Sequence, residues 1–422
     1  VLYEFPLLQG RVLFVKTIIR IKMMNRKSIV SWILYDFGMA QFSMVILTAY
    51  FIIYFKEIVV GNTGGRGDFL WGVATSIAMA SAVLLSPILG SFSDISGKRK
   101  NLYIVFSLIS IFSTLMLYFS NRGTILYSMT FFAIAYACYA INMTFYNSFL
   151  KDIVPERDIE KYSGIGWGLG YFGGLTSLVI MIFLLKDLEH SKVIIVITAI
   201  SYFLFALPSY ILLPGQKITN KRDISILSGF YELNETFKNI RAYRNIMIFL
   251  LSYFFISDGI STVIVFFSSY TVHTLKFSLK ENFLLLIIIQ ISAAIGAISS
   301  GYLSRIWGII NTIKFTIIVW IASIGIIFIV EDRTIFMFIS AICGTVLGAT
   351  QALARSYIAV SSPEEKSGEF FGFMTFSSKV AAIFGPVIFG VISRLTESQR
   401  ISILSLEILF ITGFLILLRI RD

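Results

Sequence analysis

The chain has 422 residues, 57% of them hydrophobic and only 14% charged, with a formal net charge of +11. A soluble domain carries about 25% charged residues, so a water-soluble enzyme or binding module is excluded, and a mean hydropathy of +0.83 places the chain in a bilayer. The excess of cations does not mark a nucleic-acid binder, because they sit in short segments between apolar runs, where the positive-inside rule accounts for them.

Residues 1–27 scatter Arg11, Lys16, Arg20, Lys22, Arg26 and Lys27 among apolar residues. They read as an N-terminal cytoplasmic extension: either a surface amphipathic helix or residues that precede a natural start at Met23 or Met24. No small-residue cleavage site accompanies them. Twelve spanning helices follow, at roughly 30–55, 68–93, 101–119, 124–149, 162–185, 192–213, 244–269, 280–303, 311–330, 334–358, 370–393 and 401–419. A polar, basic linker at 214–243 separates a six-helix bundle at 28–213 from a second at 244–422. With the N-terminus inside, cytoplasmic segments hold 24 of the 35 Lys and Arg, and the opposite face holds 10. That bias predicts both termini in the cytoplasm and an even number of spans. Cys138 and Cys343 lie inside apolar runs and read as packing residues. His190 and His273 form no ligand pattern, so neither a metal nor a cofactor is expected.

The halves repeat one another. Gly90-x-x-x-Asp94-x-x-Gly97, between helices 2 and 3, recurs as Gly301-x-x-x-Arg305-x-x-Gly308 between helices 8 and 9. Pro155-Glu156 stands nine residues before Gly164, and Pro363-Glu364 nine before Gly372. Helices 1 and 7 each carry an acid, Asp36 and Asp258. Three matches in one order predict parallel six-helix repeats. The first loop continues into Lys98, Arg99 and Lys100. Its glycine, acid, glycine and basic cluster resemble the signature loop of the major facilitator superfamily. That resemblance implies an all-α integral membrane protein of twelve helices in two pseudo-symmetric six-helix bundles, with substrate bound between them near the midplane.

Further stretches narrow the resemblance. They are Trp32, Tyr35 and Asp36 in helix 1; Tyr146 to Asp152 and Ser163 to Gly174 around helices 4 and 5; Ser257-Asp258-Gly259 in helix 7; Gln351 to Ser356 in helix 10; and Glu369 to Gly372, then Lys379 to Pro386, in helix 11. As a set they resemble the vacuole-effluxer-like branch of the superfamily, from residue 28 to the C-terminus. Its fungal members are associated with amino-acid export from the vacuole. One segment departs: after the helix 1 Asp the family shows a small residue and then Asn-Ser, where this chain has Gly38-Met39-Ala40-Gln41.

Ionisable residues inside spans are costly, so function is the default reading. Asp258 lies roughly 20 Å into helix 7 and Lys379 roughly 15 Å into helix 11 at 1.5 Å per residue. The shared depth predicts that they meet in the central cavity, as a pair or as proton carrier and carboxylate anchor. Asp36 and Arg355 lie nearer the cytoplasmic face at comparable depth, and Arg355 is expected to snorkel to the interface. Helical spacing puts Asn142 and Tyr146 on one face of helix 4, Thr262 beside Asp258, and Gln351 on the Arg355 face of helix 10. These residues and Gln41 are candidate substrate contacts. Gly90, Asp94, Gly97, Arg99 and Arg355 are candidate gating residues, with Asp94 accepting hydrogen bonds from a neighbouring helix end when the cytoplasmic side shuts.

The expected function is secondary active transport of a small polar solute, most readily an amino acid, as a symporter or antiporter with protons the candidate coupling ion. A sugar or drug facilitator, or a non-transporting receptor, is the alternative. A membrane enzyme lacks its catalytic His or paired acids, and no GxxxxGK[ST] loop supports ATP drive. The expected partners are a small-molecule substrate and the lipid bilayer, with no nucleic acid, and the protein is expected to be a monomer. High Ile, Lys and Phe suggest a prokaryotic plasma membrane.

Overall fold

In the computed structural model, residues 26–61, 66–184, 187–215, 226–238, 241–396 and 398–420 are described. The extension over residues 1–25 therefore lies outside the described residues. Among the described residues, twelve helices are long and apolar enough to cross a membrane: α1 Arg26–Val60, α2 Phe69–Ser96, α3 Arg99–Phe119, α4 Ile125–Ile153, α5 Glu156–Leu184, α6 Val193–Leu212, α7 Arg244–Phe267, α8 Leu284–Trp307, α9 Ile309–Ile329, α10 Arg333–Ser361, α11 Glu364–Ser393 and α12 Gln399–Leu417. They form two six-helix bundles, α1–α6 and α7–α12. Most spans agree with their expected positions to within a few residues; α5 and α11 each begin six residues early, with the 3-10 turns that precede them, and α1 runs further at both ends, with π-helical turns at Ser43–Ala49 and Phe55–Val60. The linker differs more. It holds a helix, Ile226–Lys238, too polar to stand out as a span yet apolar along one side, where Leu233 is buried.

The internal repeat has a physical basis at the end of the molecule that carries the linker. Gly97 and Gly308 both adopt positive φ, 64° and 78°, a region that disfavours residues with a Cβ. The two Pro-Glu turns are matching 3-10 turns, Glu156–Asp158 and Glu364–Lys366, at the starts of α5 and α11. Each repeat also supplies glycines where the bundles touch. A Cβ on Gly90 would lie 2.3 Å from the Gly368 carbonyl oxygen, and one on Gly301 would lie 2.5 Å from that of Glu160. So α2 packs on α11 and α8 on α5 at backbone distance, the approach small residues permit in membranes.

Candidate functional site

At the linker end the loop after α2 reaches across the bundles. Arg99 is fully buried and donates to Asp94 Oδ1 at 2.6 Å and Asp152 Oδ2 at 2.5 Å. Asp94 in turn accepts the backbone N–H groups of Gly368 and Glu369 at 3.1 and 2.9 Å. These are free donors of the first turn of α11, where a carboxylate is favoured by both the open N–H groups and the helix dipole. The equivalent loop of the second half reciprocates: Arg305 donates to Asp158 Oδ1 at 2.5 Å and to the Arg157 carbonyl at 3.1 Å. Lys151 to the Ser362 carbonyl and Ser367 Oγ to the Ser148 carbonyl add further ties between the halves.

Deeper in, Arg355 of α10 does not snorkel to the interface. It is buried, with 1% exposure, and among the described residues its side-chain partners all belong to the other bundle. Nη1 donates to Asp36 Oδ2 at 3.0 Å, Nη2 to the Ser163 carbonyl at 2.7 Å, and Nε to Ser163 Oγ at 3.0 Å. The guanidinium lies 4.6 Å from the Trp32 ring and 5.4 Å from the Trp167 ring. Asp36 and this set satisfy its donors inside the protein, which removes the drive to reach water. Two members of this set, Trp167 and Ser163, stand in the α5 motif, and their role emerges only from packing.

Asp258 and Lys379 do not meet. Asp258 is 1% exposed, and its Oδ1 accepts the Gly385 N–H at 2.8 Å. Its Oδ2 has no hydrogen-bond partner among the described residues. Gly385 lies six residues beyond Lys379, about 9 Å along α11 and about 120° around it. The Asp258 carboxylate therefore sits about 9 Å along α11 from Lys379 and on another face, so the expected common depth does not hold. Thr262 Oγ1 donates to the carbonyl of Asp258 itself and is fully buried, so it braces α7 and is closed to solute. Lys379 points instead across the bundle boundary, 6.0 Å from the ring of Tyr136 on α4. Among the described residues it forms no ion pair. Near it in depth, Tyr171 of α5 donates to Gln351 Oε1 of α10 at 2.5 Å, a second contact between the halves.

Three other expected contacts are tied up inside the first bundle, although the Tyr146 ring still lies 6.0 Å from the Arg355 guanidinium. Tyr146 is fully buried in the first bundle. Its hydroxyl donates to the Trp32 carbonyl, the Trp32 indole donates back to the Tyr146 carbonyl, both at 2.9 Å, and the rings stack. Asn142 donates to the Tyr35 hydroxyl at 2.5 Å, inside a hydroxyl network with Tyr202 and Ser107. Gln41 lines a void of about 20 Å³ with Ser177, Thr198 and Ser201, between α1, α5 and α6. Helical spacing puts Asn142 and Tyr146 on one face of α4 but does not say which neighbour that face meets. The face of α4 toward the second bundle carries Tyr136 and Thr144, the latter touching Thr375 at 3.1 Å.

This architecture has known relatives. The family model described as "Vacuole effluxer Atg22 like" matches residues 71–162 and 155–421. The chain belongs to the vacuole effluxer Atg22-like family. It is 30% identical over 399 residues to the uncharacterized MFS-type transporter YxiO of Bacillus subtilis, covering 92% of this chain and 93% of that one. Autophagy-related protein 22 of Vanderwaltozyma polyspora is 25% identical over 413 residues, covering 85% and 78%. Among solved structures, the human organic anion transporter MFSD10 superposes with a TM-score of 0.73 at 14% identity, covering 93% of this chain and 99% of that one. This Atg22-like chain is thus a multi-pass transporter of the major facilitator superfamily, and not an enzyme.

Proposed function

We propose that this protein moves a small zwitterionic solute, most readily an amino acid, by alternating access between its two bundles. The observation that carries this reading is Lys379. It is a cation within a span, at the bundle boundary, opposite an aromatic ring and without an ion pair among the described residues. An intramembrane cation left unpaired is costly, and a solute carboxylate arriving between the halves would relieve that cost. The family is described as vacuole effluxers, which supports transport of a solute out of a compartment, and the choice of an amino acid rests on Lys379 as a carboxylate anchor. Asp258 is the candidate proton carrier, because one of its oxygens is buried and unpartnered. The cation bias of the loops supports both termini in the cytoplasm, and the high Ile, Lys and Phe content favours a prokaryotic plasma membrane. In that orientation the contacts of Asp94, Arg99 and Arg355 form an inner gate, held shut here.

The test is counterflow in proteoliposomes with a radiolabelled amino-acid mixture against sugars, with and without a pH gradient. Saturable amino-acid flux is expected, and flux with sugars alone would retire the reading. Lys379→Met is expected to lower flux by about a hundred-fold, since a buried charge-assisted contact to substrate is lost. Wild-type flux in that variant would remove Lys379 from the mechanism. Flux that persists unchanged without the gradient would remove protons.

A further inference from the structure

Arg355 is the only side chain that the second bundle contributes to its own pocket, as far as the described contacts go. The carboxylate of Asp36, the carbonyl and hydroxyl of Ser163, the Asn147 Oδ1 at 3.5 Å, and the rings of Trp32, Trp167 and Tyr146 all belong to the first bundle. Two of the walls are also fixed independently of Arg355, while the Ser163 hydroxyl additionally donates to the Ala352 carbonyl of α10 at 2.7 Å. Trp32 and Tyr146 hold one another through two reciprocal hydrogen bonds and a stack with 4.8 Å between ring centroids. Gly166 provides the room, since a Cβ there would lie 2.6 Å from Asp36 Oδ2 and 2.9 Å from Arg355 Nη2. Alternating access moves the bundles largely as rigid bodies. When the linker end opens, Arg355 leaves with α10, and an intact socket stays behind on the first bundle.

The chemistry of that socket is specific. A carboxylate, a backbone carbonyl and an amide oxygen accept N–H donors, while three aromatic faces attract a cation electrostatically. We propose that in the linker-open state the socket binds the cationic head of the transported solute, a primary ammonium or a guanidinium group, in the place Arg355 holds when that end is shut. The inference rests on the transport reading above and deepens it. Solute and Arg355 then compete for one site, so the linker end closes only as the solute head leaves the socket. Arg355 in turn neutralises Asp36 whenever no solute does.

The experiment empties the socket without relying on the conformational change. Arg355→Ala is purified as the full chain and titrated with methylguanidinium, with the fluorescence of Trp32 and Trp167 as the readout. A saturable change is expected, weakened about ten-fold or more by adding Asp36→Asn, which removes the charged acceptor. Tetramethylammonium at equal ionic strength, which has no N–H donor, is expected to bind much more weakly. The wild type should respond less than Arg355→Ala, because its own arginine holds the site. No saturable change in Arg355→Ala, or a change indifferent to Asp36→Asn, overturns the inference. If Arg355→Ala does not fold, the wild type serves in proteoliposomes. Methylguanidinium on the linker side should inhibit counterflow, and Trp167→Phe should weaken that inhibition roughly two- to five-fold. Inhibition identical in both proteins overturns it equally. Absent counterflow in the wild type would instead count against the transport reading, while binding by Arg355→Ala would still stand.

Discussion

Asp258 shows how a single glycine sets the surroundings of an acid inside the membrane. A Cβ on Gly385 would lie 2.0 Å from Thr262 Oγ1 and 2.5 Å from Asp258 Oδ1, distances that no side chain tolerates. Only a bare backbone lets α11 approach α7 closely enough for the Gly385 N–H to reach the carboxylate. Gly385→Ala is therefore expected to destabilise the protein by about 1–3 kcal/mol through overpacking, read as a lower Tm in detergent. Combining it with Thr262→Ala should recover part of that loss, because the two side chains contest the same space and their effects cannot add. Strict additivity would show that the clash is relieved elsewhere. That Asp258 and Lys379 lie well inside their spans was legible in the sequence, since 1.5 Å per residue is a property of every helix. Their separation was not legible, because it depends on how α11 is rotated against α7. Packing sets that rotation, and glycines such as Gly385 permit it.

At the scale of elements, the loop between α2 and α3 behaves as a clasp on the first turn of α11. Its elements were legible early: a glycine pair, an acid and a basic cluster in register. The acceptor role of Asp94 also follows from its place opposite a helix N-terminus. Asp152, the second carboxylate on Arg99, stands 53 residues away, and no local pattern announces it. The linker helix was hidden for a related reason. Its buried side meets the loop end of α2, where a Cβ on Gly229 would lie 2.7 Å from the Ile88 carbonyl oxygen. Its charged side offers Glu232 to Lys366 at 2.9 Å. A short amphipathic helix gains its stability from such docking more than from its own propensity. The clasp makes a kinetic prediction. Asp94→Asn leaves the solute-facing residues in place but weakens the hold on α11 and on Arg99, so the shut state loses stability. Turnover is expected to fall about ten-fold, the loss of one hydrogen bond to a charged group, while the half-saturating solute concentration changes far less. An equal loss in both would argue against a clasp.

For the whole molecule, the cross-bundle contacts define which state is present. They run inward from the rim at Arg305–Asp158, through Asp94 and the Arg355 socket, to Thr144–Thr375, Tyr171–Gln351 and Lys379–Tyr136. Each half contributes a loop that grips the other half, so the seal has the same approximate two-fold symmetry as the repeat that encodes it. Such a seal must come apart and re-form in every transport cycle, because substrate bound between the bundles has no other way to reach the linker side. Covalent closure should therefore stop transport without unfolding the protein. Thr144 and Thr375 suit this test. Their hydroxyls are 3.1 Å apart across the boundary, which brings the two β-carbons within range of a bridge after small adjustment. The native Cys138 and Cys343 are buried and unbridged and can be replaced by Ser as the background. Thr144→Cys with Thr375→Cys is expected to lose counterflow under mild oxidation and regain it with dithiothreitol, while either single variant is indifferent to both. Transport that continues through a fully formed bridge would mean that this layer stays shut throughout the cycle. The moving boundary would then have to lie elsewhere, and Lys379, one layer deeper, could not be reached from the linker side.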